Sequence, residues 1–222
     1  MCIARLFTFL AICICFCACG GAPTGTSESA NVPALSVSQK QIKVVRSAGN
    51  SSNISPAEVD ANFNAVNDIL STDDGRAKDG DGDFACPIQI VREGDITMLP
   101  HAVIPTVVKN KDDFDKICNT GAGFVYIVDR IEWCNRISTD GSIRGCSDLS
   151  GKCMVVTRPA SDSLFTPDLE GILWAHEYVH TVGNRDSCTL GCLPNHLDKL
   201  MYPVIALDHR KVTRSESIAI LR

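Results

Sequence analysis

The sequence predicts an α/β (α+β) domain, and three observations predict it. Short apolar runs of β type recur at 40–46 (KQIKVVR), 86–91 (CPIQIV), 123–128 (GFVYIV) and 153–157 (CMVVT), separated by polar loops rich in Gly and Asp. Two longer segments, 55–70 and 167–182, carry apolar residues at helical spacing behind good N-terminal signals. At 222 residues the chain has room for one domain with a real core, or at most two small ones.

The first strand is read at 40–46. The segment SPAEVDANFNAVNDIL then reads as a helix, with Ser55 as N-cap, Pro56 in the first turn, and Val59, Phe63, Val66 and Leu70 on one face. A polar loop, STDDGRAKDGDGD, leads to CPIQIV, and two further strands follow at 123–128 and 153–157. Thr166 and Pro167 open a second helix. Its apolar surface comprises Leu169, Ile172, Leu173, Ala175, Tyr178 and Val179, and Gly183 stops it. Trp174 on this helix is read as core. The segment VTRSESIAILR predicts a short C-terminal helix from about Thr213.

The N-terminus has its own logic. Arg5, the apolar run LFTFLAICICFCA and the small residues after it have the layout of an export signal, too short to span a bilayer. The tetrapeptide FCAC, with Cys19 followed by Gly20, resembles a bacterial lipoprotein signal, which implies a lipidated Cys19 at the mature N-terminus. We therefore expect a signal peptide at 1–18, a lipid-anchored flexible tether at 19–38 rich in Gly, Ala, Ser, Thr and Pro, and a folded domain at 39–222. A plain secreted chain is the alternative. Attachment to a membrane would come through the lipid on Cys19, since no other stretch approaches the 18 apolar residues of a span.

Seven cysteines remain beyond the signal: Cys86, Cys118, Cys134, Cys146, Cys153, Cys188 and Cys192. In an exported chain they imply about three disulfides and one thiol left over. Short loops favour Cys188 with Cys192, and Cys134 with Cys146 or Cys153. The formal net charge of −5 gives nucleic acid no basic footprint, and a monomer is expected.

The chemistry is concentrated in the second helix, at His176-Glu177-Tyr178-Val179-His180. Residues four apart share a helix face, so two imidazoles in an HExxH pattern can bind one Zn2+ while the intervening glutamate reaches water on it. Gly183 tolerates the backbone that turns the chain back, and Asp186 follows at a spacing that offers a third ligand oxygen. Met201 lies further on in LMYP, where a tight turn before Pro203 can set a methionine beneath the ligands.

This run, HEYVHTVGNRD followed by Met201, resembles the metzincin zinc metalloproteases, and specifically their snapalysin-like minority with Asp in place of the third His. The resemblance implies a small twisted mixed sheet, an active-site helix, a Met-turn and a C-terminal helix. It also implies His176, His180 and Asp186 as ligands, Glu177 as general base, Met201 as support, and a peptide or protein as substrate. Two departures accompany it: Val179 stands where the family usually has Gly, and Asp186 where most members have His. His196 is the alternative third ligand, and Glu216 the ligand of a rival zinc-protease plan. Asp79, Asp81 and Asp83 alternate as in a calcium loop, but Phe84 and Ile90 exclude an EF-hand, leaving a noncanonical Ca2+ site or a solvated acidic loop. The sequence thus predicts an exported zinc endopeptidase; the alternative is a surface lipoprotein that keeps the fold for binding.

Overall fold

The computed structural model describes residues 37–49, 53–72, 86, 88–135, 137–158, 167–182 and 200. Cys19 and most of the tether, the Asp79–Asp83 loop, Gly183, Asp186, Cys188, Cys192, His196, Met201 and the predicted C-terminal helix with Glu216 lie outside the described residues. In chain order the elements are β1 (Ser38–Ile42), β2 (Val44–Ser47), α1 (Pro56–Ser71), β3 (Ile88–Arg92), β4 (Thr97–Leu99), β5 (Val107–Val108), α2 (Lys111–Cys118), β6 (Val125–Val128), β7 (Arg130–Cys134), β8 (Ile137–Ile143), β9 (Gly145–Ser147), β10 (Met154–Thr157) and α3 (Pro167–Thr181). The fold is mixed α/β, as the sequence predicts.

The central sheet has the order β4-β2-β6-β10-β9. The first four of these strands run parallel, and β9 pairs antiparallel with β10. Successive side chains of a strand point to opposite faces, and here both faces are covered. Val125, Ile127, Met154 and Val156 join Phe63, Val66, Ile172 and Leu173 of α1 and α3 in one apolar cluster. Tyr126, Val128 and Val155 join Phe114 and Ile117 of α2 in the other. Burial on both faces is why VYIV and MVVT read as unbroken apolar runs instead of alternating ones.

The predicted strand at 40–46 is divided at Lys43. Ile42 faces Arg92 and Val45 faces Thr97, so the partner chain carries two more residues between those pairings than its neighbour does. Gly94, at φ 66°, helps absorb the excess. The Lys43 carbonyl turns to accept the amides of Phe124 and Val125 at 3.0 and 3.1 Å.

Helix α1 opens as the sequence predicts. The Ser55 hydroxyl accepts from the Glu58 amide at 3.3 Å, and the Glu58 carboxylate accepts from the Ser55 amide at 2.8 Å, forming a capping box. On its outer flank the Asn67 side chain is bonded twice to β3. Its Nδ2 donates to the Ile90 carbonyl at 2.8 Å, and its Oδ1 accepts from the Ile90 amide at 2.7 Å. Helix α2 was not read from the sequence, although Asn110 caps it and Phe114, Ile117 and Cys118 bury one face. The three-stranded sheet β5-β7-β8 also went unread. Among the described residues, no helix is long and apolar enough to cross a membrane.

Two cysteine pairs stand at bonding distance. Cys134 and Cys146, with Cα atoms 5.6 Å apart, join β7 to β9. Cys118 and Cys153, with Cα atoms 5.5 Å apart, join the end of α2 to the start of β10. Of the two partners that loop length allowed Cys134, the nearer in sequence is taken. Cys86 is buried.

The first turns of α1 and α3 are held by one guanidinium. Arg158, just after β10, contacts Glu58 at 2.6 Å and Glu170 at 3.2 Å, and Asn62 donates to Glu170 at 3.3 Å. The Arg158 hydrogen bond, with help from Ser55, lowers the Glu58 pKa to about 2. Burial pushes Glu170 the other way, above the ordinary glutamate value. A carboxylate whose pKa is depressed in the folded state contributes stability above its unfolded value, and that contribution is lost as pH falls through the folded value. The Glu58 contribution should therefore be complete above about pH 4.5 and disappear on acidification towards pH 2. Solvent screening holds such a half-exposed pair to about 1 kcal/mol or less. We expect Glu58→Gln to lower the thermal midpoint at pH 6 and to converge on the wild type near pH 2. An equal deficit at both pH values would refute the linkage.

Candidate metal and catalytic site

Helix α3 forms where acidic Asp168 and Glu170 in its first turn complement the helix dipole, behind Pro167. It is buried over almost its whole length, from Glu170 to Val179. Its approach to α1 is set by Gly171: a Cβ there would overlap that of Ala65. Close approach brings Trp174 edge-on to Phe63, with ring centroids 5.3 Å apart. Trp174 is 2% exposed and serves the core, as its sequence position predicts.

His176 and His180 lie one turn apart on the same helix, with ring planes perpendicular and centroids 4.6 Å apart. Their Nε2 atoms approach to 3.1 Å. His176 Nδ1 is 2.8 Å from the Leu200 carbonyl oxygen. A carbonyl can only accept, so Nδ1 carries the proton and the Nε2 lone pair is directed at the pair's meeting point. Two nitrogens at about 2.0–2.1 Å from one tetrahedral zinc stand roughly 3.3 Å apart, within a few tenths of an ångström of the separation here. The same separation suits an N–H···N hydrogen bond with His180 as donor, so the pair is compact with or without an ion. Leu200 is fully buried and immediately precedes Met201, so the chain that the sequence assigns to a turn under the site reaches His176 at its first residue.

Glu177 is buried at 4% exposure on the side of α3 that meets β9. The Ser147 hydroxyl lies 2.6 Å from Glu177 Oε2 and 2.8 Å from the Glu177 carbonyl oxygen. Gly145, two residues earlier on the same strand face, leaves room for the rest of the carboxylate, since a Cβ there would overlap Glu177 Oε1. At the turn between β9 and β10, a Cβ on Gly151 would stand 3.1 Å from the Thr181 carbonyl oxygen, a tight contact without the overlap found at Gly145.

The next residue, Tyr178, faces the other way. Lys40 Nζ stands 3.3 Å from its hydroxyl and 4.8 Å from its ring centroid, and 4.9 Å from that of Phe124. Burial first, and then the neighbouring Cys86, raises the Tyr178 pKa to about 12, and burial lowers that of Lys40. This cation–π contact ties α3 to β1 and takes no part in the histidine pair.

Of the predicted site residues the structure describes His176, Glu177 and His180, and it brings the two histidine rings together. The proposed third ligand, Asp186 or His196, and the Met201 side chain lie outside the described residues. Among the described residues, no group of three His, Cys, Asp or Glu stands ready to hold a metal ion. Sequence reasoning missed Ser147, Gly145 and the Leu200 carbonyl. The first two sit in an unremarked strand, GCS, far from the motif, and a main-chain carbonyl leaves no signal in residue type. No protein-family model matches the chain, and no curated protein matches it, so the functional reading rests on its own residues.

Proposed function

We propose that the protein is an exported zinc-dependent endopeptidase of metzincin type. The observation that carries the reading is the meeting of the His176 and His180 Nε2 atoms, with the His176 ring fastened by a main-chain carbonyl and a buried glutamate next along the helix. A zinc ion held there by His176, His180 and Asp186 would polarise the scissile carbonyl and make its bound water more acidic.

Glu177 takes the proton of the attacking water and passes it to the leaving amine, acting as base and then acid. His176 stays in the tautomer that its bond to Leu200 selects, which keeps Nε2 available as a ligand. His176 and Glu177 are buried and each is hydrogen-bonded, to Leu200 and to Ser147, so little reorganisation is needed at the moment of reaction. A purely structural zinc site would need no buried carboxylate between its two histidines, and that favours catalysis over binding alone.

Glu177→Gln is expected to retain bound zinc and folding while lowering peptide hydrolysis at least about 10²-fold, the scale of losing a general base. Casein hydrolysis with and without a chelator measures this, and full activity in the variant would sink the mechanism. For the third ligand, Asp186→Ala is expected to lose most of the zinc affinity, whereas His196→Ala and Glu216→Ala retain it. Zinc counted per chain decides the point; survival in Asp186→Ala with collapse in His196→Ala would transfer the role to His196. For location, wild-type protein is expected in the detergent phase and Cys19→Ser in the soluble fraction. A mature wild type that lacks lipid would instead make it a freely secreted enzyme.

A further inference from the structure

We propose that Ser147 and Gly145 are positioning residues that set the carboxylate of Glu177 for its proton transfers. The inference rests on the endopeptidase reading and deepens it by naming what fixes the base. A glutamate on a helix has three side-chain torsions, and an unheld carboxylate spreads over many rotamers. Here the choice is made from outside the helix. Ser147 is 1% exposed, and its hydroxyl is shared between the Glu177 carbonyl and Oε2, which ties the carboxylate to the backbone of its own residue. Gly145 supplies the missing half of the slot: any larger residue would drive Oε1, Cδ and Cγ out of place.

The strand that carries both is itself fixed. Ser147 faces Met154, Cys146 faces Val155 and Gly145 faces Val156 in the antiparallel ladder, and Cys146 stands at bonding distance from Cys134. Because residues two apart share a strand face, the glycine and the serine reach the same carboxylate from one side. The disposition differs from a helix held to a sheet by packing alone, since it spends a buried hydroxyl and an omitted side chain on a single functional group.

The test measures kcat, KM and bound zinc in Ser147→Ala, Ser147→Thr and Gly145→Ala, each alone and with Glu177→Gln. We expect Ser147→Ala to lower kcat about 10-fold or more, the loss of one hydrogen bond to an ionised group, with KM and zinc content unchanged. Ser147→Thr should restore most of it, and Gly145→Ala should lower kcat as well. In the Glu177→Gln background neither substitution should cause a further fall. Thermal midpoints of the zinc-stripped proteins give a readout independent of activity: the shifts of Ser147→Ala and Glu177→Ala should be non-additive, because each removes the hydrogen bond between the two side chains, whereas Gln would keep an acceptor oxygen. Wild-type kcat in Ser147→Ala, or an equal fall with and without Glu177, overturns the proposal. If Ser147→Ala does not fold, Gly145→Ala carries the same decision. If the wild type binds zinc but hydrolyses no peptide, the endopeptidase reading fails and the catalytic role with it, while non-additive midpoints would then identify the contact as structural only.

Discussion

The distance between α1 and α3 is set where Gly171 lies against Ala65, and the rest of the site inherits it. A helix pair separated by two small residues can bring its larger side chains into mutual contact on either side, as Phe63 and Trp174 do. With α1 on one flank, the β9–β10 hairpin on another and the sheet beneath, α3 has almost no freedom to roll. Any rotation would carry His176 away from the Leu200 carbonyl and Glu177 away from Ser147 together.

The cost of this arrangement is visible in its polar groups. Buried polar residues require partners, and each one left unsatisfied costs about 1–3 kcal/mol. Among the described residues, the buried polar set comprises Glu170, His176, Glu177 and Thr181 on α3, Asn62 and Ser147, which bond to that helix, and Ser47 and Thr157 elsewhere. A helix serving packing alone would fill such positions with apolar side chains. The buried polar groups fall at two places on the helix, Glu170 with Arg158 and Asn62 in the first turn and His176 with Glu177 further along, and each has partners there.

The two long helices were legible in the sequence because their signals are local. Ser55, Pro56 and Glu58 announce α1, and the apolar spacing from Leu169 to Val179 announces α3. The central strands β6 and β10 were legible as apolar runs, since burial on both faces erases alternation without erasing β-type residues. What escaped was set by pairing at long range. The division of the first strand at Lys43 depends on two extra residues some fifty positions away, and β4, β5 and β9 are only two or three residues long, too short to show a period. Helix α2 was missed for a different reason: Lys111, Asp112, Asp113 and Asp115 make its exposed face so polar that its three buried residues do not stand out. At the site the motif residues were readable and their supports were not. Ser147 reaches Glu177 across thirty residues of sequence, and no spacing rule connects them.

One side chain on α1 has a meaning beyond the packing of its helix. The register pairs Ile90 with Lys40 of β1, and Asn67 takes both the amide and the carbonyl of Ile90. The carboxamide thus imitates one residue of a neighbouring strand at the middle of β3. An incoming strand from another molecule would find those two groups already engaged at the point where pairing would have to start, and would have to displace α1 to reach them. Exposed strand edges invite edge-to-edge aggregation, and proteins commonly blunt them with charge, proline or bulges. Here a single asparagine occupies that edge at Ile90, and the helix that supports the core stands where a strand pairing there would have to lie.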